Sequence, residues 1–197
     1  MSISIAQRPT IVDRVIPRSV ATDVVLIALG VALIAGAAQV TIPMYPVPMT
    51  GQTFAVLLVS MSLGFTRGTI ANIAYVTIGA LGAPIFQAGA SGWSFGPTLG
   101  YLIGFVAAAA VVGSLAERGW DKSWLRVGAA FLAGSAVIYV FGLAWLSIFL
   151  GAVGAPNDLL STLSAGLVPF IYGDVAKAIA AAALLPLAWA GVKAFKK

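Results

Sequence analysis

Residues 166–192 read GLVPFIYGDVAKAIAAAALLPLAWAGV, an apolar run whose only formal charges are Asp174 and Lys177. A helix crosses a bilayer with about 20 predominantly apolar residues. A charge inside such a helix is costly, turns toward the protein interior and marks a binding or transport path. Three residues apart on a helix, the two side chains share a face about one turn apart and can meet. Two readings stand side by side. The pair satisfies itself and fixes helix packing, or it recognises a ligand. Lysine offers three donors and a positive charge, and aspartate offers acceptors only. The second reading suits a small molecule with N–H donors and an anionic or carbonyl end. Counted from a helix start at Gly166, Asp174 is expected about 12 Å and Lys177 about 16 Å into the span, at about 1.5 Å per residue. Pro186 is expected to kink the helix.

The rest of the chain has the same character. Of its 197 residues 60% are hydrophobic and 9% charged, with a mean hydropathy of +1.03. A soluble domain has about 45–50% apolar and about 25% charged residues, so the chain reads as an all-α integral membrane protein in contact with the lipid bilayer. Residues 1–17 are polar and broken by Pro9 and Pro17, which speaks against a secretory signal peptide. With no cysteine and no histidine, disulfides, thiolate and imidazole metal sites and histidine proton relays are excluded; no cofactor or metal is expected. The net charge of +5 does not point to nucleic acid, because the basic residues sit in short connections and tails.

Six spans follow from the hydropathy pattern, at about residues 20–42, 52–65, 69–85, 97–116, 125–150 and 166–192. The second and third are short. Pro43, Pro46 and Pro48 end the first, because proline cannot continue a helix. Ten of the eleven Lys and Arg residues fall in the two tails, at Arg67, and at Arg118, Lys122 and Arg126; the eleventh is Lys177. The alternate connections, 43–51, 86–96 and 151–165, hold none. Under the positive-inside rule both termini are cytoplasmic. The domain plan is a cytoplasmic tail at 1–19, a six-helix transmembrane substrate-binding domain at 20–192 and a basic cytoplasmic tail at 193–197. Trp120, Trp124 and Trp189 are expected at the headgroup level. Asn72 lies close to the cytoplasmic end of its span and is expected to make a helix-packing hydrogen bond. No internal repeat stands out.

The outer connections are uncharged and rich in turns: residues 43–51 read PMYPVPMTG and residues 86–96 read FQAGASGWSFG. Phe86, Trp93 and Phe95 offer flat apolar surface, and Gln87 and Ser91 offer polar contacts. They read either as ordinary capping loops or as a lid over a small amphipathic solute. Ala28, Ala32 and Gly36 place small residues at four-residue spacing on the first span, which suits close helix approach, inside the protein or against a partner subunit. Enzyme chemistry finds no footing. The P-loop pattern, a Ser–His or Cys–His nucleophile and the H-E-x-x-H zinc motif are all missing.

Several stretches carry a family resemblance: Pro46-Val-Pro-Met-Thr-Gly-Gln-Thr-Phe54, Gly82-Ala-Pro-Ile-Phe86 with the glycine-rich loop after it, Gly96-Pro-Thr-Leu-Gly-Tyr-Leu-Ile-Gly-Phe105, and Pro169-Phe-Ile-Tyr-Gly-Asp-Val-Ala-Lys177. Together and in this order, over about residues 20–190, they resemble the BioY family, the biotin-specific substrate-binding S components of energy-coupling-factor transporters. Leu99 departs from the family's frequent G-P-T-G-G-Y. The resemblance implies capture of biotin from outside the plasma membrane of a prokaryote, a transmembrane coupling subunit and two cytosolic ATPase subunits as partners, ligand contact at Asp174 and Lys177, and partner docking at Ala28, Ala32 and Gly36. For such a ligand Trp93, Phe95, Phe86, Tyr45 and Tyr101 are candidates to sandwich the bicycle, with Tyr172 ranked lower. Thr50, Gln52 and Gln87 are candidate polar contacts. Which end of biotin each charge holds stays open. The competing readings are a self-sufficient facilitator or secondary transporter for biotin or another small carboxylate, and a structural membrane protein in which the charged pair only packs helices.

Overall fold

A computed structural model describes residues 10–92 and 95–194, apart from the Lys193 side chain. Of the cations counted above, Arg8, Lys196 and Lys197 lie outside the described residues. The helices are α1 (Ile11–Val15), α2 (Val20–Gln39), α3 (Gln52–Ala80), α4 (Leu99–Glu117), α5 (Trp124–Ala152), α6 (Leu159–Gly166) and α7 (Ile171–Ala194). Two-residue strands β1 (Thr41–Ile42) and β2 (Met49–Thr50) pair antiparallel, Thr41 opposite Thr50, and pin the proline-rich turn between them.

The second and third expected spans are the two arms of α3, residues 52–63 and 65–80. Gly64 breaks the helix with φ 84° and ψ −172°, a conformation that side chains with a Cβ rarely adopt. A Cβ there would also stand 2.8 Å from Glu117 Oε1 and 2.9 Å from Thr10 Cγ2. The arms run back antiparallel. Asn72 Nδ2 donates to Ser60 Oγ at 3.3 Å and to the Gly68 carbonyl at 2.9 Å, which is the packing role expected of it. At the open end Gln52 Nε2 donates to the Tyr75 hydroxyl at 2.7 Å. Among the described residues five helices or stretches are long and apolar enough to cross a membrane: α2, α3 as a whole, α4, α5 and the α6–α7 stretch; counting the two arms of α3 separately gives the six expected spans. At about 1.5 Å per residue the arms are only about 18 and 24 Å long, against about 30 Å of hydrocarbon. That shortfall leaves a recess at their open end.

The segment after α3 folds over this recess. The Tyr75 hydroxyl donates to the Ile85 carbonyl at 3.1 Å, the Phe86 ring stands edge-on to Tyr75 at 5.5 Å and 75°, and Gln39 Nε2 donates to the Phe86 carbonyl at 3.2 Å. Phe86 presses into the space left by Gly79, where a Cβ would collide with its ring. Tyr75, Phe131, Ile34, Leu57, Met61, Ile138 and Leu146 are the large residues at the centre of the bundle. By contrast α2 lies at its edge, with Gly30, Ile34 and Ala38 its only buried residues.

Residues 166–192 are not one helix, contrary to expectation. Asp158 caps α6 by accepting from the Leu160 and Ser161 amides, and α6 ends at Gly166. A 3-10 turn over Val168–Phe170 carries Pro169, whose missing N–H breaks the hydrogen-bond ladder. The helix restarts at Ile171 and runs through Pro186 to Ala194. Trp189, near the end of α7, is turned into the protein. It is 6% exposed, its Nε1 donates to the buried Asp121 at 2.7 Å, and Lys122 Nζ lies 4.6 Å from its ring centre. This contact ties the end of α7 to the α4–α5 connection. At the same pole Asp13 joins Arg18, at 2.7 Å, and Arg67. Burial would raise the Asp13 carboxyl, but hydrogen bonds from the two guanidinium groups and Thr10 hold it well below the usual carboxylate range.

Candidate functional site

Beneath the 47–50 and 86–92 segments lies a cavity of about 240 Å³, walled by both arms of α3, α4, α5 and the start of α7. Most of its wall is apolar: Val47, Val76, Phe86, Leu102, Phe105, Ile138 and Phe170. Into it project Asp174 and Lys177. The restart of α7 at Ile171 puts Asp174 in the helix's first turn, about 5 Å along the axis, with Lys177 about 9 Å along. Both are therefore shallower on their helix than a start at Gly166 implies. A carboxylate in the first turn gains about 0.3–2 kcal/mol from the exposed amides and the helix dipole. Here Pro169 supplies that benefit, because it is the residue that forces a new helix N-terminus.

The charges are held from three elements. Lys177 Nζ donates to Asp174 Oδ1 at 3.3 Å and to Thr53 Oγ1, on α3, at 2.7 Å. The Tyr139 hydroxyl, on α5, donates to Asp174 Oδ2. Asp174 is 9% and Lys177 19% exposed at the side chain. An ammonium has three donors and an ionised carboxylate about four lone-pair directions. One lysine donor and part of the carboxylate's accepting capacity thus remain for a molecule in the cavity. The pair is neither turned to lipid nor sealed in solid packing. What it can do chemically is accept N–H groups and donate to an oxygen at adjacent positions in an apolar chamber.

Of the other candidates, Thr50, Gln52, Phe86, Gln87 and Tyr101 border the cavity. Their roles differ. Gln52 is buried and occupied with the Tyr75 hydroxyl and, at 2.9 Å, with Thr50 Oγ1, so these two brace the cavity mouth. Tyr101 donates to the Gly166 carbonyl at 2.8 Å and tethers α4 to the end of α6. Tyr45 and Phe95 stay out of the cavity, at 86% and 67% exposed. The β1–β2 pairing swings the turn bearing Tyr45 outward, and the Phe95 ring lies tilted at 33° beside Trp145, with centres 6.2 Å apart; the Trp145 Nε1 donates to the Gly96 carbonyl at 2.9 Å. Tyr172 is 87% exposed, as its helix face requires. Trp93 lies outside the described residues. Ala28, Ala32 and Gly36 form an exposed stripe along α2, and nothing stands within 4 Å of a Cβ built at Gly36; this is not internal packing. Thr53 and Tyr139 escaped the sequence reading. Tyr139 had one signal, a phenol in mid-span, where a hydroxyl in hydrocarbon needs a partner. Among the described residues no group of three or more acidic, His or Cys residues could hold a metal.

The fold and sequence have known counterparts. The structure is similar to the crystal structure of the S-component for biotin from an ECF-type ABC transporter, with TM-score 0.73, 26% identity, and coverage of 84% of this chain and 89% of that one. A protein named biotin transporter BioY from Thermotoga maritima is 38% identical over 161 residues, covering 80% of this chain and 90% of its own. A probable biotin transporter BioY from Pyrococcus horikoshii is 36% identical over 163 residues, 82% and 92% of the two chains. One from Rhizobium etli, named biotin transporter BioY, is 33% identical over 174 residues, 82% and 90%. Finally, the model described as "BioY family" matches residues 8–194. A match over nearly the whole sequence, together with a shared membrane fold, makes this chain a multi-pass membrane protein that belongs to the BioY family.

Proposed function

We propose that this protein is the substrate-capture S component of an ATP-driven energy-coupling-factor transporter, and that its substrate is biotin. The observation that carries the reading is the Asp174–Lys177 pair, left with spare donor and acceptor capacity inside an apolar chamber. Biotin combines a ureido group, an apolar thioether bicycle and a carboxylate. Its only N–H donors are on the ureido group, so Asp174, an acceptor, takes a ureido N–H. Lys177 donates to a carbonyl or carboxylate oxygen of the same molecule. Phe86 and Phe105 pack against the bicycle. The cation-free connections, 43–51 and 86–96, face the outside of a prokaryotic plasma membrane, and the arginine-rich pole and both termini face the cytoplasm, as the positive-inside rule requires. Biotin enters beneath those outer connections. The exposed α2 stripe of Ala28, Ala32 and Gly36 meets a transmembrane coupling subunit, which joins it to two cytosolic ATPase subunits.

Titration calorimetry of biotin into the detergent-purified protein tests the capture step, and saturable one-to-one binding is expected. No heat and no thermal stabilisation at high biotin would overturn it, since ligand at about 100 times its dissociation constant adds about 2.7 kcal/mol. Biotin accumulation by the chain alone in proteoliposomes, without ATPase subunits, would replace the S-component assignment with a self-sufficient transporter.

A further inference from the structure

Tyr139 belongs to the wall between two cavities. On one side is the chamber beneath the loops. On the other is an apolar groove of about 420 Å³ between α5 and α7, bordered by Leu132, Val140, Leu143 and Ile171. Leu132, Val140 and Ile171 are 53%, 68% and 45% exposed, so this groove opens to lipid. Ser135, Tyr139 and Asp174 border both. Asp174, at the heart of the site, therefore stands between the ligand chamber and the lipid-facing groove.

The tyrosine is itself braced. Its ring meets the Tyr101 ring edge-on, with centres 6.3 Å apart at 87°. Tyr101 is locked by its bond to the Gly166 carbonyl, and its ring fills the space that a side chain at Gly142 would need, a Cβ there standing 2.5 Å from it. Two glycines thus seat Tyr101, Tyr101 seats Tyr139, and Tyr139 holds one oxygen of Asp174 from the α5 side while Lys177 holds the other from α7.

We propose that Tyr139 is a positioning residue for ligand recognition: its hydroxyl fixes the rotation of the Asp174 carboxylate, so that the acceptor meets an N–H-bearing ligand instead of turning toward the lipid-facing groove. This rests on the biotin reading of the same chamber. It goes beyond it by naming a residue that acts through Asp174 without needing to touch the ligand. A hydrogen bond to a charged group is worth more than a neutral one, and its loss here frees the carboxylate to rotate.

Two measurements test it. Tyr139→Phe keeps the ring and removes the hydroxyl; it is expected to bind biotin about tenfold or more weakly while its ligand-free unfolding temperature stays close to wild type. Separately, 13Cζ-tyrosine NMR on the wild type has five signals to resolve. The Tyr139 signal is assigned by its loss in Tyr139→Phe or, if that variant does not fold, by elimination with phenylalanine at the other four tyrosines. It is expected to shift in ligand-free Asp174→Asn and again when biotin is added to wild type. Native affinity in Tyr139→Phe, or a Tyr139 signal blind to both Asp174→Asn and biotin, overturns the proposal. If the wild type binds no biotin, the biotin reading fails by itself, and the response to Asp174→Asn still decides whether Tyr139 governs that carboxylate.

Discussion

Lys177 Nζ lies 2.7 Å from Thr53 Oγ1 but 3.3 Å from Asp174 Oδ1, so the amine of α7 is held more tightly by the first arm of α3 than by the acid on its own helix. The ligand charge therefore depends on a contact across the cavity as well as on helical spacing. Thr53→Val preserves shape and removes the acceptor. A hydrogen bond to a charged group is worth about 1.5–3 kcal/mol, so calorimetry is expected to show biotin affinity reduced about tenfold or more, with the fold intact. Unchanged affinity would mean that Lys177 does not need this contact.

Removing a member of the pair costs more. Asp174→Asn and Lys177→Ala each leave the other group in a buried, apolar setting without its partner. Truncating one side of such a pair costs about 2–5 kcal/mol. Biotin titrations are expected to show losses of that order in both variants, and native binding in either would remove that residue from the site.

Gly142 makes a third prediction. A methyl there would stand 2.5 Å from the Tyr101 ring, in a helix that cannot back away. Overpacking of this kind costs about 1–3 kcal/mol, and a chain of this size loses about 2–4 °C per kcal/mol. Gly142→Ala is expected to unfold several degrees lower and to bind biotin more weakly, through Tyr101 and Tyr139. A scan that matches wild type would show that this helix contact yields easily.

Asp121 supplies a pH dependence. Burial raises its carboxyl above the ordinary 3.8, against the hydrogen bond from Trp189 and the charge of Lys122, which both lower it. With a folded value above the unfolded one, the folded chain binds the proton more tightly. This contribution is fully present below the unfolded value and is lost as pH rises through the folded one. Asp121→Asn keeps an acceptor for Trp189 and cannot ionise. Thermal scans from about pH 4 to about pH 8, a range spanning the usual carboxyl value and above, should show a smaller decline in the variant than in wild type. Parallel pH profiles would contradict this reading of Asp121.

Gly36→Leu separates docking from capture. Nothing lies within 4 Å of a Cβ at Gly36, and leucine is the better helix former by up to about 1 kcal/mol. The variant is expected to fold and bind biotin normally, yet to lose ATP-driven uptake in cells that supply the coupling and ATPase subunits. Retained uptake would move the docking surface elsewhere.

The sequence by itself determined the membrane class, the six crossings, and the position of the acid and amine one turn apart, because hydropathy, charge segregation and helical spacing are local properties of the chain. It also marked Phe86, Gln87, Thr50 and Gln52, which border the cavity, since turn-rich uncharged loops are visible in composition. Only the tertiary structure decided that the reversal between the second and third spans falls at Gly64, within α3 and without a loop, that α7 restarts after Pro169 and brings Asp174 to a helix N-terminus, that Tyr45 and Phe95 point away, and that Thr53 and Tyr139 hold the charges. Those last contacts join residues 124 and 35 positions apart. No periodicity encodes such a distance: which polar tips converge in an apolar interior is set by how whole helices pack, each buried donor or acceptor having to find its partner from a neighbouring element.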